Sequence, residues 1–254
     1  MKKLVSVFLS LFVNSLLFGQ VSGPIFSSWL LNTTNITGYN RLPANVQKIQ
    51  YSDNYIYISS SGIPAYSIGP WPGDPNVAEG QNFVFKIPRY PEIESGSKTS
   101  TPLGPIGVLI NGVVIFNSED AHSYNNQNIW HRNAVVVEAS SFDSCLGHPQ
   151  MNGIYHHHQN PVCLYTLDST RHLPIIGYAY DGYPIYGAYG YANPNGTGGI
   201  KRMISSYKLR DITKRTSLPD GTQLDASEYG PDVSSEYPLV YYIEDYEYVD
   251  SSGI

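Results

Sequence analysis

Val108-Leu109-Ile110-Asn111-Gly112-Val113-Val114-Ile115-Phe116 is the stretch that decides the fold class. An Asn-Gly pair between two apolar, largely β-branched runs is the strongest short-range signal for a β-hairpin. The theme recurs at residues 175–186, where two aromatic and aliphatic runs flank Asp181-Gly182. Pro184 in the second run cannot donate to a ladder, so it belongs at an edge or a non-bonded position. Tyr55-Ile56-Tyr57-Ile58 alternates behind Asp53-Asn54, and residues 237–249 read as a further strand or pair. Loops rich in Pro and Gly separate these runs, notably residues 62–80 and 193–199. Ala134-Val135-Val136-Val137-Glu138-Ala139 reads equally as a short helix or a buried strand. The expectation is a mostly β, single-domain chain built on antiparallel hairpins, as a sandwich or distorted barrel. Long Pro/Gly loops and at most one or two short helices complete it.

Residues 1–20 open with Lys2 and Lys3, continue in a mostly apolar run over residues 4–18, and end in Gly19-Gln20. That is the layout of a secretory signal peptide, because the run is too short, and too broken by Asn14, to span a bilayer. The expected division is a signal peptide at 1–20, N-terminal strands and loops at 21–79, and the remainder at 80–254. A secreted or periplasmic, extracellular location follows, with no membrane span after cleavage. Without Lys2 and Lys3, the 15 basic residues become 13 against 21 acidic ones, so the mature formal charge is 13 − 21 = −8. An acidic chain with no basic stripe is poorly suited to phosphate, which argues against nucleic acid as a partner. Cys145 and Cys163 are the only cysteines. Export favours joining them as a disulfide, with two thiolate metal ligands as the alternative.

Four of the seven histidines, His148, His156, His157 and His158, fall between these cysteines. Gly153 and Pro161 bracket a stretch of strand length. Side chains alternate along a strand, so His156 and His158 project together while Tyr155 and His157 face the other way. Two residues of rise separate the paired rings by roughly 6.6 Å, close enough for both to lean onto one ion. A third ligand is needed, and His148 is the first candidate. Asp143, Glu138 and Asp181 are others, as third ligand or orienting group, and so are His122 and His131; spacing alone does not rank them. Imidazole donors suit Zn or Cu. Three protein ligands would leave a position for water or substrate, with metal-assisted catalysis as a consequence. Tyr155, Tyr180 and Tyr183 are the expected lining of the cleft. The rival expectation is an extracellular module that binds cell-surface glycan or protein through its tyrosines and tryptophans, with structural histidines.

Asp143-x-Cys145-x-Gly147-His148-Pro149 followed by Gly153-x-Tyr155-His156-His157-His158-x-x-Pro161-x-Cys163 resembles the YHYH family, named for its Tyr-His-Tyr-His run. Gly104-Pro105-Ile106-Gly107 before Asn111-Gly112-Val113, and the run at 177–187, carry the resemblance to both sides. It spans approximately residues 80 to 250. His157 stands where the family's second Tyr would be, so the family's two named histidines fall on His156 and His158. The chain reaches Ile254 just after an acidic aromatic run, where the resemblance implies that the domain continues. It implies an extracytoplasmic domain and no particular reaction.

Overall fold

In the computed structural model, which describes residues 23–97 and 99–249, Asn111-Gly112 closes the expected hairpin between strands Pro105–Leu109 and Val114–Phe116. Leu109 N–H donates to the Val113 carbonyl (2.8 Å) and Gly112 N–H to the Leu109 carbonyl (2.8 Å). Only Gly112 of the pair takes a positive φ, 79°. The loop is thus the three-residue kind, a turn followed by glycine in the left-handed region. The hairpin at 175–186 is built alike: Ala179 N–H donates to Tyr183, Gly182 N–H to Ala179, and Gly182 has φ 95°. Pro184 lies in the outermost strand of its sheet, where a missing donor leaves no ladder partner unpaired.

A third copy of this loop, which the apolar patterning does not announce, lies at residues 150–154. Gln150 N–H donates to Ile154, Gly153 N–H to Gln150, and Gly153 has φ 71°. It joins His148–Pro149 to Tyr155–His157. The three hairpins assemble into one six-stranded sheet with the order 184–186, 175–179, 105–109, 114–116, 155–157, 148–149. All neighbours are antiparallel except Val114–Phe116 and Tyr155–His157, which run parallel and pair Val114 with His156.

Alternation along these strands gives the sheet two apolar faces. Val108, Val114, Phe116 and Tyr178 meet Ile56, Ile58, Phe85 and Ile87 of a three-stranded antiparallel sheet, Val46–Tyr51, Tyr55–Ser60 and Phe83–Pro88. Leu109, Val113 and Tyr155 meet Ile63, Ile68, Trp71 and Ala78 from the Pro/Gly-rich loop. The architecture is mostly β, with two packed sheets and no closed barrel among the described residues. Residues 23–79 share a sheet and a core with the later strands, so they form no separate unit. The signal peptide expected at 1–20 lies outside the described residues.

Among the described residues there are two short α-helices, Pro24–Ser27 and Ala134–Val137. The valine run settles as helix because the Asn133 side chain caps it, accepting from Val135 N–H at 3.2 Å. In the 237–249 region only Tyr246–Tyr248 is strand, paired with Tyr207–Leu209. The turn before it holds the fully buried Asp245, which pairs with Arg215 at 2.7 Å.

Cys145 and Cys163 form a disulfide that closes a separation of 18 residues. It ties the loop before His148 to the loop after His158. Replacing both by serine is expected to cost about 3 kcal/mol of stability in the chain-entropy account. Urea unfolding of the oxidised parent and the double variant measures this, and a loss below about 1 kcal/mol would leave the bridge without a stabilising role.

Candidate metal centre

The site begins with the third hairpin. His148 and His156 are directly paired across it, so both rings lie on one face. That face also carries Val114 and Phe116, and the Phe116 ring stacks on His156 with centroids 3.9 Å apart. His158, two residues on, returns to the same side, and its Nε2 lies 3.0 Å from Nε2 of His156. The ligand-capable atoms of His148, His156 and His158 all lie within 4.8 Å of one another. Tyr155 and His157 face the opposite way, as alternation requires. Position between the cysteines suggests that the disulfide draws His148 in. In the structure the tight turn at Gly153 sets His148 opposite His156, and the disulfide anchors the outer ends of the same segment.

The protonation of the three rings follows from their Nδ1 partners. His156 Nδ1 meets the Ile154 carbonyl (3.0 Å) and His158 Nδ1 the Asn117 carbonyl (2.5 Å). A carbonyl only accepts, so both Nδ1 atoms carry the hydrogen. His148 Nδ1 meets Ser141 Oγ at 2.7 Å, and that hydroxyl donates its one hydrogen to the Glu138 carbonyl at 2.7 Å. His148 Nδ1 is therefore also the donor. In the neutral rings every Nε2 presents a bare lone pair. Such second partners are how proteins fix the tautomer of metal-binding histidines.

Glu138 completes the group. It terminates the Ala134–Val137 helix and turns its carboxylate onto the same point, with Oε2 3.2 Å from His158 Nε2 and 3.4 Å from His148 Nε2. Oε2 of Glu138 and Nε2 of His148 are buried polar atoms without a hydrogen-bond partner. Such orphans are costly, roughly 1–3 kcal/mol each and more when charged. Burial, reinforced by His158, holds His148 below the usual imidazole range despite nearby carboxylates. Burial with His158 and His148 close by puts His156 well below it. Burial would lift the Glu138 carboxyl, but His158 beside it, with His148 and Arg132, outweighs that and holds the group below the usual carboxyl range.

A cluster of lone pairs around an anionic oxygen calls for a positive charge. A proton on His158 Nε2 serves one of its two contacts and leaves His148 Nε2 bare. One metal ion held by the three Nε2 atoms can satisfy the nitrogens together and neutralise the carboxylate beside them. In a tetrahedral site with bonds of about 2.0–2.1 Å, adjacent donors lie roughly 3.3 Å apart. Three of the six separations, 3.0, 3.2 and 3.4 Å, match that spacing, while the histidine atoms as a group spread to 4.8 Å and would have to draw in around an ion.

The other residues that sequence spacing nominates lie elsewhere or do other work, for which Asp143 is the clearest case. It is buried on the Tyr155 side of the sheet, where its carboxylate accepts from Gly69 N–H, Trp71 Nε1, Cys145 N–H, Gly147 N–H and the Tyr155 hydroxyl. It has no capacity left for a metal. Asp181 is exposed and caps Tyr183 N–H within its own turn. His131 is held by Glu244 at 2.6 Å, and His122 is exposed on the cavity wall. The expected tyrosine lining is replaced by other residues. Tyr155 is core, Tyr180 stacks on Phe85, Tyr183 follows the Asp181 turn, and no tyrosine lines the cavity beside the histidines. That cavity of about 730 Å³ is walled by Phe116, Met151, Gln150, Asn76 and several carboxylates. Two further residues at the site, Ser141 and Asp74, escape a reading of the sequence, the latter with an oxygen 3.6 Å from His148 Nδ1. Ser141 stands three residues after Glu138, which is the only local hint; Asp74 arrives from a distant loop.

The family described as YHYH protein matches residues 84–254. The chain belongs to the YHYH family. The match contains Glu138 and all three clustered histidines, whereas strands Val46–Tyr51 and Tyr55–Ser60 precede it. No curated protein and no solved structure matches the chain.

Proposed function

We propose that the protein is an exported metal-binding domain that holds one Zn or Cu ion through Nε2 of His148, His156 and His158, with the Glu138 carboxylate beside the ion and a fourth position left for a ligand from the cavity. The observation that carries this reading is the convergence of three tautomer-fixed lone pairs with an orphaned carboxylate oxygen. Imidazole and carboxylate donors fit Zn and Cu(II), and no thiolate competes because both cysteines are joined. Export is supported by the signal-like residues 1–20 and by the disulfide. No helix among the described residues is long and apolar enough to cross a membrane. The centre lies at the wall of an open cavity, which gives a ligand from solution access to the ion and makes metal-assisted chemistry the reaction class to test. Of the aromatics behind the glycan-binding alternative, Trp29, Trp71 and Trp130 are buried, whereas Tyr186, Tyr191, Tyr207 and Tyr248 are exposed.

The test is elemental analysis of the untagged mature chain after dialysis against trace Zn or Cu. One ion per chain is expected, falling to a small fraction in the His156→Ala/His158→Ala double variant. Equal metal content in the parent and the folded double variant would remove the proposal.

A further inference from the structure

The geometry points to uncharged and cationic molecules, not anions, as the ligands this centre takes from solution; the inference rests on the metal reading above. Four carboxylates, Asp74, Glu119, Asp120 and Glu138, line the cavity, and no lysine or arginine does. The nearest balancing cation, Arg132, is already engaged, with its Nε donating to Asp120 Oδ2 at 2.6 Å. Glu119 also has a partner, with Oε1 3.4 Å from His131 Nε2; counting that imidazole as neutral, a divalent ion and Arg132 set three positive charges against four carboxylates, a net charge of 2 + 1 − 4 = −1.

The acidic wall acquires meaning from what it surrounds. His148 is buried, 6% exposed, yet its unpartnered Nε2 belongs to a residue lining this same cavity. A ligand that reaches the ion must cross the field of Asp74, Glu119 and Asp120. An approaching phosphate or carboxylate meets like charge there, and low-dielectric walls extend the reach of that repulsion. An amine or an imidazole meets none. Asn76 and Gln150 offer donors and acceptors to a neutral polar group, and Phe116 and Met151 offer apolar contact. The chemical class is thus a neutral or cationic nitrogen or oxygen donor with an apolar portion.

The experiment uses the full mature chain loaded with Co(II), whose visible absorption reports added ligands. It is titrated separately with imidazole, azide and inorganic phosphate, as the parent and as His122→Lys. His122 is exposed on the cavity wall and outside the ligand set, so a lysine there adds a cation without disturbing the core. Imidazole is expected to bind at least tenfold more tightly than azide, and phosphate to leave the spectrum unchanged. A unit charge about 10 Å away should tighten azide roughly two- to tenfold in the variant, with imidazole unaffected. Azide or phosphate binding to the parent as tightly as imidazole, or azide affinity indifferent to His122→Lys, would overturn the inference while leaving the metal reading intact. A chain that takes up no Co(II), Zn or Cu overturns both.

Discussion

Replacing Asp143 by alanine should destabilise the fold by about 4 kcal/mol or more, the largest loss expected from any single side chain around the site. Its carboxylate gathers donors from two distant segments: Gly69 and Trp71 in the Pro/Gly-rich loop, and Cys145 and Gly147 in the turn before His148. The Tyr155 hydroxyl reaches the same oxygens, at 3.1 and 3.3 Å. Burial, with Tyr66 and Asp143 adding to it, pushes the Tyr155 hydroxyl well above the usual phenol range, so it remains a donor. Alanine strands these donors in a buried space, and each stranded donor costs roughly 1–3 kcal/mol. Asp143→Asn keeps the shape and part of the accepting capacity, so its loss should be smaller. Guanidinium unfolding at neutral pH provides the measurement. An Asp143→Ala chain within about 1 kcal/mol of the parent would show that the loop and the turn do not depend on this carboxylate.

Asp143 also marks the limit of what the sequence can say. An aspartate two residues before a cysteine and five before a histidine reads as a ligand candidate, because one-dimensional spacing carries no information about sheet faces. Alternation settles faces only within a strand. It separates His156 and His158 from His157 correctly, since those three sit on or beside one strand. Asp143 lies in a turn, where alternation has no force, and its burial against Trp71 depends on a loop some seventy residues away. Glu138 is equally ambiguous for a different reason. Only when Asn133 caps the valine run into a helix does the following carboxylate face the histidines. As a strand, the same residues would have carried it elsewhere.

The hairpins are legible to the degree that apolar runs flank their loops. Asn111-Gly112 and Asp181-Gly182 stand between such runs. Asn152-Gly153 makes the same three-residue turn but gives no comparable signal, because only a single dipeptide of strand, His148–Pro149, precedes it. Periodicity needs four or more residues to register. That inconspicuous turn is what sets His148 opposite His156. The tyrosines fail as cleft residues because amphipathic rings in a β-rich chain are first consumed by core and cross-strand packing.

If the three histidines hold an ion as proposed, metal must stabilise the folded chain, and by an amount fixed by mass action. An ion that binds only the native state adds about 4.1 kcal/mol when its free concentration is a thousandfold above Kd. For a chain of this length, roughly 2–4 °C of Tm accompanies each kcal/mol, so Zn or Cu should raise Tm by about 8–16 °C and a chelator should reverse the gain. Without the ion, the lone pairs of His148 and His156 and the Glu138 carboxylate face one another at the wall of the cavity. Their mutual repulsion is part of what metal removes. Glu138→Gln deletes the anion but leaves three imidazoles, so it should reduce the metal-induced shift without abolishing it. The His156→Ala/His158→Ala chain should show no shift at all. Its melting temperature without metal need not fall, because the two lost Nδ1 bonds are offset by removing two Nε2 lone pairs from a crowded buried cluster. Calorimetric scans of the three chains with Zn, with Cu and with chelator separate these outcomes. A parent chain whose Tm ignores both ions would mean that the convergence of His148, His156, His158 and Glu138 is filled by a proton, held as an imidazolium at His158, and not by a metal.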